Sequence, residues 1–412
     1  MGNVRLLEDQ DFKDYARLSL EAYPAMYPKM SEEQIDGWIK RMQAQQAEKS
    51  DIQYYGYLDG DKLLGAMRTH TFTMNVHGVD MLAGGVGNVC VDLTHKKEHI
   101  AKEMMEHFHG LYMDMGASMV LLWPFRSDFY MKMGYGYSPK YNKYMYRPAD
   151  LPRGNKKGVA FMTESDVDDL LTCFNRYAAA THGMIYKKRR FFERFLQRYK
   201  VVGYCNGDRI EGFIGFNFKK LLPDHPLLQN IEIEYMVYEN PTALSRLLAF
   251  LQTQLDQVDQ VQFLTLDDDL HYVSSDPRNG EPHIFFINQE SNVQGIGLMY
   301  RVLNKRLFFE KLAPHDFNGV SLRVKFNIRD SFVPENDGPI TIHFNDGKLS
   351  LGDGFDVEVT MNIEYLSSLL MGVVDFRKLW TYGLVQVSDE KHVEALDRLF
   401  HVVKKPETIE EF

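Results

Sequence analysis

Two distant segments of the chain share one short pattern, and this internal repeat constrains the fold more than any other feature. The segments read GYLDGDKLLG at residues 56–65 and GYCNGDRIEG at residues 203–212, with glycines, a tyrosine and an aspartate in register. Each contains Asp-Gly or Asn-Gly between strand-like runs. This predicts two tight β-hairpins in which both turn residues adopt positive φ.

The elements around the two hairpins also follow the same order. Two helical segments precede each hairpin, and residue pairs typical of helix caps stand in both copies: Ser31 with Gln34, and Thr163 with Asp166. A third strand and then a helix follow each hairpin. Chance and common hairpin chemistry would explain the short match alone, but the shared order of elements favours a duplication.

The remaining length predicts a third domain. A chain of 412 residues can form several cores, because single domains mostly have about 100 to 200 residues. From about residue 290 the pattern changes to short strands and terminal helices, which predicts an α+β domain. Loop-like connectors rich in Pro, Gly, Asn and Ser lie at 148–157 and 274–292. We therefore predict three domains: residues 1–150, 151–285 and 286–412.

The charge and the termini restrict the class of partner. The net charge of −10 argues against nucleic-acid or anionic-membrane binding and suits a cationic substrate. The N-terminus lacks the basic-then-apolar order of a signal peptide, and no apolar run reaches about 18 residues. We expect a cytoplasmic protein without a membrane partner. The cysteines, Cys90, Cys173 and Cys205, have no paired ligand spacing and are expected to be reduced and buried.

A basic turn between a strand and a helix is the candidate phosphate site. Lys96 and Lys97 follow the strand NVCV and precede a helix, where free N–H groups and the helix dipole attract a pyrophosphate. The second copy reads YENPTALS, with Glu239 and no cation, so only the first copy is expected to bind phosphate. Surface lysines at a solvated helix start remain the alternative.

The same turn contains HKKEH, which matches the inverted zinc-protease pattern HxxEH. Such a site needs His95 and His99 on one helical face and a further distant ligand. Thr94 and the preceding strand place His95 at or before the helix cap, where its geometry is wrong. We therefore expect no metal.

Two further features could contribute to catalysis. The segment RSDFYMKMGYG places Tyr130 at the start of a short helix ending at Gly134, after a buried strand. A phenol of pKa about 10 stays protonated at neutral pH and can act as a general acid, although most tyrosines only pack. At the other end, Pro406 breaks a helix and Phe412 closes an acidic tail. The α-carboxylate of Phe412 could accept a hydrogen bond or a proton, unless the tail frays.

Together these features resemble the Eis (enhanced intracellular survival) family of acetyl-CoA-dependent N-acetyltransferases, over essentially the whole chain. The segments that carry the resemblance are VCVDLTHKKEHIAKEM, FYMKMGYG, the degenerate second copy, the third domain and the terminal Phe412. The resemblance implies an α/β and α+β fold class: two tandem GNAT folds, the second degenerate, followed by a domain like sterol carrier proteins. It also implies a homo-oligomer, a hexamer.

The resemblance implies roles for matching residues of the acetyl-CoA site. Tyr130 would protonate the departing thiolate of CoA. A splayed strand pairs with the pantetheine arm through Val89, Cys90 and Val91. The acetyl end is flanked by Phe125 and Arg126. The pyrophosphate loop and helix start are Lys96, Lys97, Glu98, His99, Ile100, Ala101 and Lys102.

The resemblance also implies the acceptor side of the site. The Phe412 carboxylate would act as, or orient, the base for the incoming amine. Glu411 matches an acidic position of the substrate pocket, and Tyr23 and Trp38 are candidates for its aromatic wall.

One departure of the pyrophosphate loop from the family pattern bears on phosphate binding. That pattern is Arg or Gln, two residues, Gly, any residue, then Gly or Ala, whereas this chain has His99 at the first glycine. Glycine lets the backbone approach phosphate without a Cβ in the way. His99 must turn its ring aside, and Glu98 places a negative charge close to the negative phosphates. Weaker CoA binding is therefore expected.

The predicted function is direct acetyl transfer from acetyl-CoA to an amine of a cationic substrate, without an acyl-enzyme. The acceptor is expected to be an aminoglycoside-like polycationic amine, a protein lysine or a polyamine. The alternative from a different class is a non-catalytic carrier that holds a lipid or hydrophobic ligand in the third domain. Alternating apolar residues in VSLRVKFNI and ITIHF suit such a carrier, but an ordinary packed sheet needs them equally.

Overall fold

The structure, a computed structural model, describes residues 3–27, 29–48, 51–222, 227–284 and 287–409. Its strands are β1 Asn3–Leu6, β2 Ile52–Asp59, β3 Lys62–Val76, β4 Val79–Val91, β5 Met119–Leu122, β6 Gly136–Tyr137, β7 Lys140–Tyr146, β8 Val159–Phe161, β9 Lys200–Asn206, β10 Arg209–Lys220, β11 Gln229–Tyr238, β12 Val258–Thr265, β13 Asn292–Ile296, β14 Met299–Val302, β15 Leu322–Arg329, β16 Gly338–Asn345, β17 Lys348–Leu351, β18 Val357–Asn362 and β19 Val385–Val387. Its helices are α1 Phe12–Ala22, α2 Glu32–Ala47, α3 Ile100–Asp114, α4 Ser127–Met131, α5 Val167–Ala180, α6 Arg189–Arg198, α7 Pro241–Gln252, α8 Lys305–Lys311, α9 Ile363–Leu370, α10 Phe376–Thr381 and α11 Val393–Leu399.

The chain divides into two compact units. Unit 1 contains Met1–Ser138 and Leu298–Lys405, and unit 2 contains Pro139–Gly297 and Pro406–Ile409. This division gives two units and does not separate three domains. The three domain ranges expected from the sequence stay a prediction.

The first sheet of unit 1 has the strand order β1-β2-β3-β4-β5-β14-β6. Helices α1 and α2 pack on one face, where Phe12 and Met42 share a core with Ala66 of β3. Helix α3 packs on the opposite face, where Met104 meets Met67. Alternation along β3 thus gives each face its own layer of helices.

Unit 2 repeats this arrangement in a sheet of order β13-β7-β12-β11-β10-β9-β8. Helices α5 and α6 pack on one face, with Phe174 and Phe192 against Phe213 of β10. Helix α7 packs on the other face, with Leu247 against Ile231. In both sheets one parallel pair follows the hairpin, β4 with β5 and β11 with β12.

Both predicted hairpins are present, but their turns differ from the expectation. Each loop is Gly-Asp rather than Asp-Gly or Asn-Gly, because Asp59 and Asn206 end the preceding strands. Only the glycine of each loop has positive φ, 58° at Gly60 and 62° at Gly207. Glycine supplies the left-handed residue at no steric cost, so Asp59 and Asn206 can remain paired in their strands.

The predicted helix caps are present. The Ser31 side chain accepts a hydrogen bond from the Gln34 N–H, and the Gln34 side chain accepts one from the Ser31 N–H. The Asp166 carboxylate likewise accepts from the Thr163 N–H at 2.7 Å. This second cap starts a single 3-10 turn before α5 rather than the helix itself.

Two strands belong to sheets other than the sequence order suggests. Strand β14, at the expected start of the third domain, lies between β5 and β6 in the first sheet of unit 1. Strand β7, at the end of the first predicted domain, pairs with β12 and β13 in unit 2. Each of these two sheets is therefore completed by a strand that lies outside the domain range expected for it.

The remainder of unit 1 forms a five-stranded sheet of order β17-β16-β15-β18-β19, as the α+β prediction expected. Its interior is filled by aromatic side chains. Phe309 stacks on Phe326 at 5.8 Å between ring centroids, and Phe317 meets Phe344 at 5.0 Å. Phe400 of the last helical turn closes the cluster at 6.1 Å from Phe326.

The three cysteines are free thiols, of which Cys90 and Cys173 are buried and Cys205 is only partly buried. The expectation of buried thiols is thus wrong for Cys205. Across the described ranges, no helix combines the length and the apolar character required to cross a bilayer.

Candidate active site

Strands β4 and β5 diverge near the centre of the first sheet. They pair in parallel only where Ala83–Val86 faces Met119–Leu122, and β4 then continues to Val91 while β5 has ended. On its other side β4 carries a bulge, since Ala66 faces Cys90 but Arg68 faces Gly87. The divergence leaves the edge of β4 that faced β5 available to an extended ligand.

Val89, Cys90 and Val91 lie on this diverging part of β4, as predicted. Tyr23, which ends α1, donates a hydrogen bond to the Val89 carbonyl oxygen at 2.6 Å. Burial raises the pKa of the Tyr23 phenol well above its usual value, and Cys90 adds to the rise. Tyr23 therefore stays protonated and holds the strand, a role that its assignment to the pocket wall did not include.

Cys90 points away from the divergence into the core beneath α1. It is 2% exposed, and its Sγ donates to the Ala66 carbonyl oxygen at 3.6 Å. Burial raises the pKa of this thiol to about 12. A thiol that stays protonated is a poor nucleophile, which is consistent with transfer that uses no acyl-cysteine.

The basic loop lies before α3 rather than within it. Lys96 and Lys97 are exposed in the loop, and the helix begins at Ile100. His99 is the cap residue, and its side chain makes no capping hydrogen bond. The N–H groups of the first helical turn therefore have no side-chain partner from the cap. With two lysines nearby, this geometry fits a diphosphate.

Two residues of this loop have left-handed backbone, with φ of 71° at Lys97 and 64° at His99. The position where the family pattern has glycine thus needs positive φ, which L-residues adopt at a cost. This adds a conformational reason for glycine to the steric one expected from the sequence.

The acidic residue of the loop, Glu98, pairs with a histidine three residues earlier in the chain. Glu98 Oε2 lies 2.9 Å from His95 Nδ1, and His95 Nε2 lies 3.3 Å from Lys62 Nζ. His95 belongs to a short 3-10 turn before α3, as the sequence suggested, so His95 and His99 do not share a helical face. Among the described residues, no group of three or more His, Cys, Asp or Glu side chains is arranged to hold a metal ion.

Tyr130 lies in the last turn of α4, and not at the start of the helix as predicted, because the helix begins at Ser127 and ends at Met131. Gly134 follows in a turn with φ of 81°. The Tyr130 side chain is 2% exposed. Its ring contacts Phe129 at 5.1 Å between ring centroids.

The Tyr130 hydroxyl makes no hydrogen bond to the described part of the chain. Burial raises the pKa of this phenol well above its usual value, and Tyr23 contributes a smaller rise. The two phenols therefore lie close enough to interact electrostatically. Tyr130 is a protonated donor at neutral pH, with its hydrogen-bonding capacity unused.

The predicted residues at the acetyl end lie beside Tyr130 and at the surface. Phe125 is 59% exposed, and its ring centroid lies 5.6 Å from that of Tyr130. Arg126 forms a bidentate pair with Asp128, at 3.0 Å and 2.5 Å. This pairing satisfies the Arg126 charge locally, so Phe125 is the better placed of the two to contact a thioester.

An asparagine that the sequence reasoning missed binds the hydroxyl groups that surround the bulge of β4. Asn88 occupies the bulge with φ of 50°, and its Nδ2 donates to the Tyr15 hydroxyl at 2.6 Å and to Ser19 Oγ at 2.7 Å. The Tyr27 hydroxyl lies 3.3 Å from Asn88 Oδ1, and Tyr27 packs on Trp38 at 5.1 Å. Asparagine tolerates left-handed backbone, so Gly-Asn within an otherwise β-branched strand was the available signal.

Glu411 and Phe412 lie outside the described residues. The described tail, Pro406–Ile409, belongs to unit 2. The Glu407 carboxylate accepts a hydrogen bond from the Tyr177 hydroxyl at 2.6 Å, and its N–H donates to the His182 carbonyl oxygen at 2.8 Å. Up to Ile409, then, the tail is bound and not frayed.

The corresponding loop of the second copy differs from the first in its charge and in its helix cap. Glu239 pairs with Arg176 at 2.8 Å and also with Arg209. Asn240 caps α7 by accepting from the Ala243 N–H at 2.9 Å, and a proline follows at the first helical position. The cleft beside β11 and β12 is lined by the tail itself, through Glu407 and Ile409.

Comparison with protein families identifies three parts of the chain. Residues 3–138 match an acetyltransferase (GNAT) domain, residues 183–302 match another acetyltransferase (GNAT) domain, and residues 301–407 match a sterol carrier protein domain. The predicted fold class is therefore confirmed. GNAT domains use acetyl-CoA as co-substrate.

Solved structures share the fold over the full length of both chains. One from Enterococcus faecalis V583, titled a probable N-acyltransferase, is 18% identical with a TM-score of 0.82 and 100% of each chain covered. A GCN5-related N-acetyltransferase from Anabaena variabilis is 14% identical with a TM-score of 0.82 and the same coverage. Eis1 from Mycobacterium abscessus is 16% identical with a TM-score of 0.77, again covering 100% of each chain. Comparison with curated protein sequences gives no significant match.

Proposed function

We propose that this chain, an N-acetyltransferase built from two GNAT domains and a sterol carrier protein domain, transfers acetyl directly from acetyl-CoA to an amine of a cationic acceptor. The observation that carries the proposal is the divergence of β4 from β5. It places a free strand edge near a buried phenol whose hydroxyl has no partner among the described residues.

The residues of the first copy suit each part of acetyl-CoA. Lys96, Lys97 and the N-terminus of α3 would bind the diphosphate. The backbone of Val89–Val91 would pair with the pantetheine amides, as a strand pairs with an added strand. Phe125 would cover the thioester end, because its exposed ring packs beside Tyr130.

In the reaction, the neutral amine nitrogen attacks the thioester carbonyl carbon, the C–S bond breaks and CoA leaves as a thiolate. The nitrogen releases one proton to solvent and the thiolate takes one up, so the products are the amide and CoA with a free thiol. Because burial raises the pKa of Tyr130 far above that of a thiol, complete proton transfer to sulfur is uphill. Tyr130 is therefore better suited to donate a hydrogen bond as negative charge develops on sulfur.

The base is proposed from the family resemblance, as the α-carboxylate of Phe412. An α-carboxyl of pKa about 3.5 is a weak base for an ammonium group. Its contribution would therefore be attraction and orientation of the amine, with Glu411 adding negative charge.

The acceptor is proposed to be an aminoglycoside-like polycation, a protein lysine or a polyamine. The net charge of −10 supports attraction of such amines. Tyr27 and Trp38 beside the β4 bulge offer aromatic faces to a cation. A cytoplasmic location and a hexamer remain part of this proposal.

The test is a thiol-release assay with acetyl-CoA and a panel of aminoglycosides, polyamines and lysine peptides. Tyr130→Phe should lower kcat about 100-fold with little change in KM for acetyl-CoA, since the lost bond forms mainly in the transition state. A variant lacking Phe412 should also lose activity, whereas Tyr382→Phe, at a phenol that is 66% exposed, serves as the control. Full activity in both variants would remove the proposed roles.

The absence of turnover with every amine would instead favour the carrier function. The packing of the third domain offers that alternative little support. Phe326 and Phe344 are fully buried in the interior of its sheet, where a lipid would have to lie.

A further inference from the structure

Arg68 lies on the same face of the first sheet as the acceptor side of the site. Along β3, Ala66 belongs to the core beneath α1 and α2, whereas Met67 belongs to the core beneath α3. Because side chains alternate along a strand, Arg68 points toward α1 and α2. It is paired in register with Gly87, the residue before Asn88 of the bulge.

The surroundings of Arg68 are aromatic and hydroxylic. Its positive charge opposes the rise that burial causes in the pKa of both Tyr15 and Tyr27, which places the guanidinium beside these two phenols. Those phenols are the hydroxyl partners of Asn88. Arg68 therefore belongs to the same cluster as the bulge residue and Trp38.

This arginine has no partner within the described chain. Its Nε atom is buried without a hydrogen bond, and no carboxylate of the described residues forms an ion pair with its guanidinium. Other arginines of unit 1 are paired, such as Arg5 with Asp11 and Arg323 with Asp356. A half-buried cation without a counter-charge is costly unless a ligand supplies one.

We propose that Arg68 is a carboxylate-binding residue on the acceptor side of the first GNAT domain. The guanidinium fork matches a carboxylate in bidentate geometry, which an amine or a sugar hydroxyl does not offer. The carboxylate is carried by the acceptor beside its amine, as in free lysine. The inference rests on the proposed function and narrows its acceptor.

The experiment compares two acceptors that differ only by a carboxylate, lysine and its decarboxylated diamine cadaverine. Arg68→Met should raise KM for lysine roughly 10- to 100-fold and leave KM for cadaverine within about twofold. Equal losses for both acceptors would overturn the inference. Arg68→Lys should recover part of the loss for lysine, because it keeps the charge without the fork.

Arg323→Met, at a surface arginine of the third domain, is the control for loss of a guanidinium. Thermal unfolding with lysine or cadaverine gives a readout that needs no turnover. Stabilisation of the wild type by lysine alone, absent in Arg68→Met, supports the inference even if the proposed acetylation fails. Unchanged kinetics for both acceptors in Arg68→Met, with unchanged thermal shifts, overturns it.

Discussion

Replacing His99 by glycine should improve both stability and CoA binding. His99 has φ of 64° at the cap of α3, and its exposed side chain makes no capping hydrogen bond that the substitution would remove. The left-handed region costs an L-residue about 1 to 2 kcal/mol, whereas glycine adopts it freely.

The expected gain follows from two opposing contributions. Relief of the backbone strain stabilises the fold, but the greater entropy of glycine in the unfolded state offsets about 0.5 to 1 kcal/mol of that gain. A net stabilisation of roughly 0.5 to 1 kcal/mol remains, which corresponds to a rise in Tm of about 1 to 3 °C for a unit of this size. Removing the Cβ and the ring from the diphosphate site should tighten CoA binding about 3- to 10-fold, or roughly 0.7 to 1.4 kcal/mol.

Calorimetric unfolding and titration with CoA measure the two effects separately. Lys97→Gly is the matched control, because Lys97 also has positive φ, at 71°, but contributes a cation to the site. It should gain similar stability and lose CoA affinity about threefold, opposite in sign to His99→Gly. A lower Tm for His99→Gly, or CoA affinity that changes in the same direction in both variants, would refute the reasoning.

Three further outcomes are expected. Native Cys90 should resist iodoacetamide at pH 8 and react only after unfolding, as mass spectrometry would detect, because burial raises its thiol pKa to about 12. Burial lowers the pKa of Lys187 from 10.5 to about 7, so the unfolded state binds more protons between these values. Stability should rise with pH across that window, by at most about 5 kcal/mol, and Lys187→Met should flatten this rise in pH-dependent denaturant unfolding. In Gly183→Ala, the new Cβ would meet Pro406 Cβ at 2.6 Å, so carboxypeptidase should digest further into Pro406–Ile409 than it does in the wild type, whereas Gly60→Ala should leave this limit unchanged.

Local interactions account for the features that the sequence predicted well. The hairpins and the cap at Ser31 depend on residues within a few positions of one another, so their patterns are legible in the chain. The basic loop before α3 and the acidic loop before α7 were distinguished by their charges alone. The position of Tyr130 was wrong by about one helical turn, because short helices carry weak start signals.

Features that depend on pairing between distant strands could not be predicted from the sequence. The pairing of β7 with β12, and of β14 with β5, joins strands that are more than a hundred residues apart in the sequence. The roles of Arg68 and Asn88 depend on the bulge in β4, which sets the residues of β3 and β4 that share a face. Neither residue belongs to the family pattern of the acetyl-CoA loop.

The placement of β14 also dictates an order of events during synthesis on the ribosome. The first sheet lacks an interior strand until Met299–Val302 has emerged, whereas every strand of the second sheet is available once Ile296 has been made. The second sheet, in the middle of the polypeptide, can therefore form completely before the first sheet does. A nascent amino-terminal half must keep the edge of β5 open, and hence needs protection from aggregation, until much of the messenger has been translated.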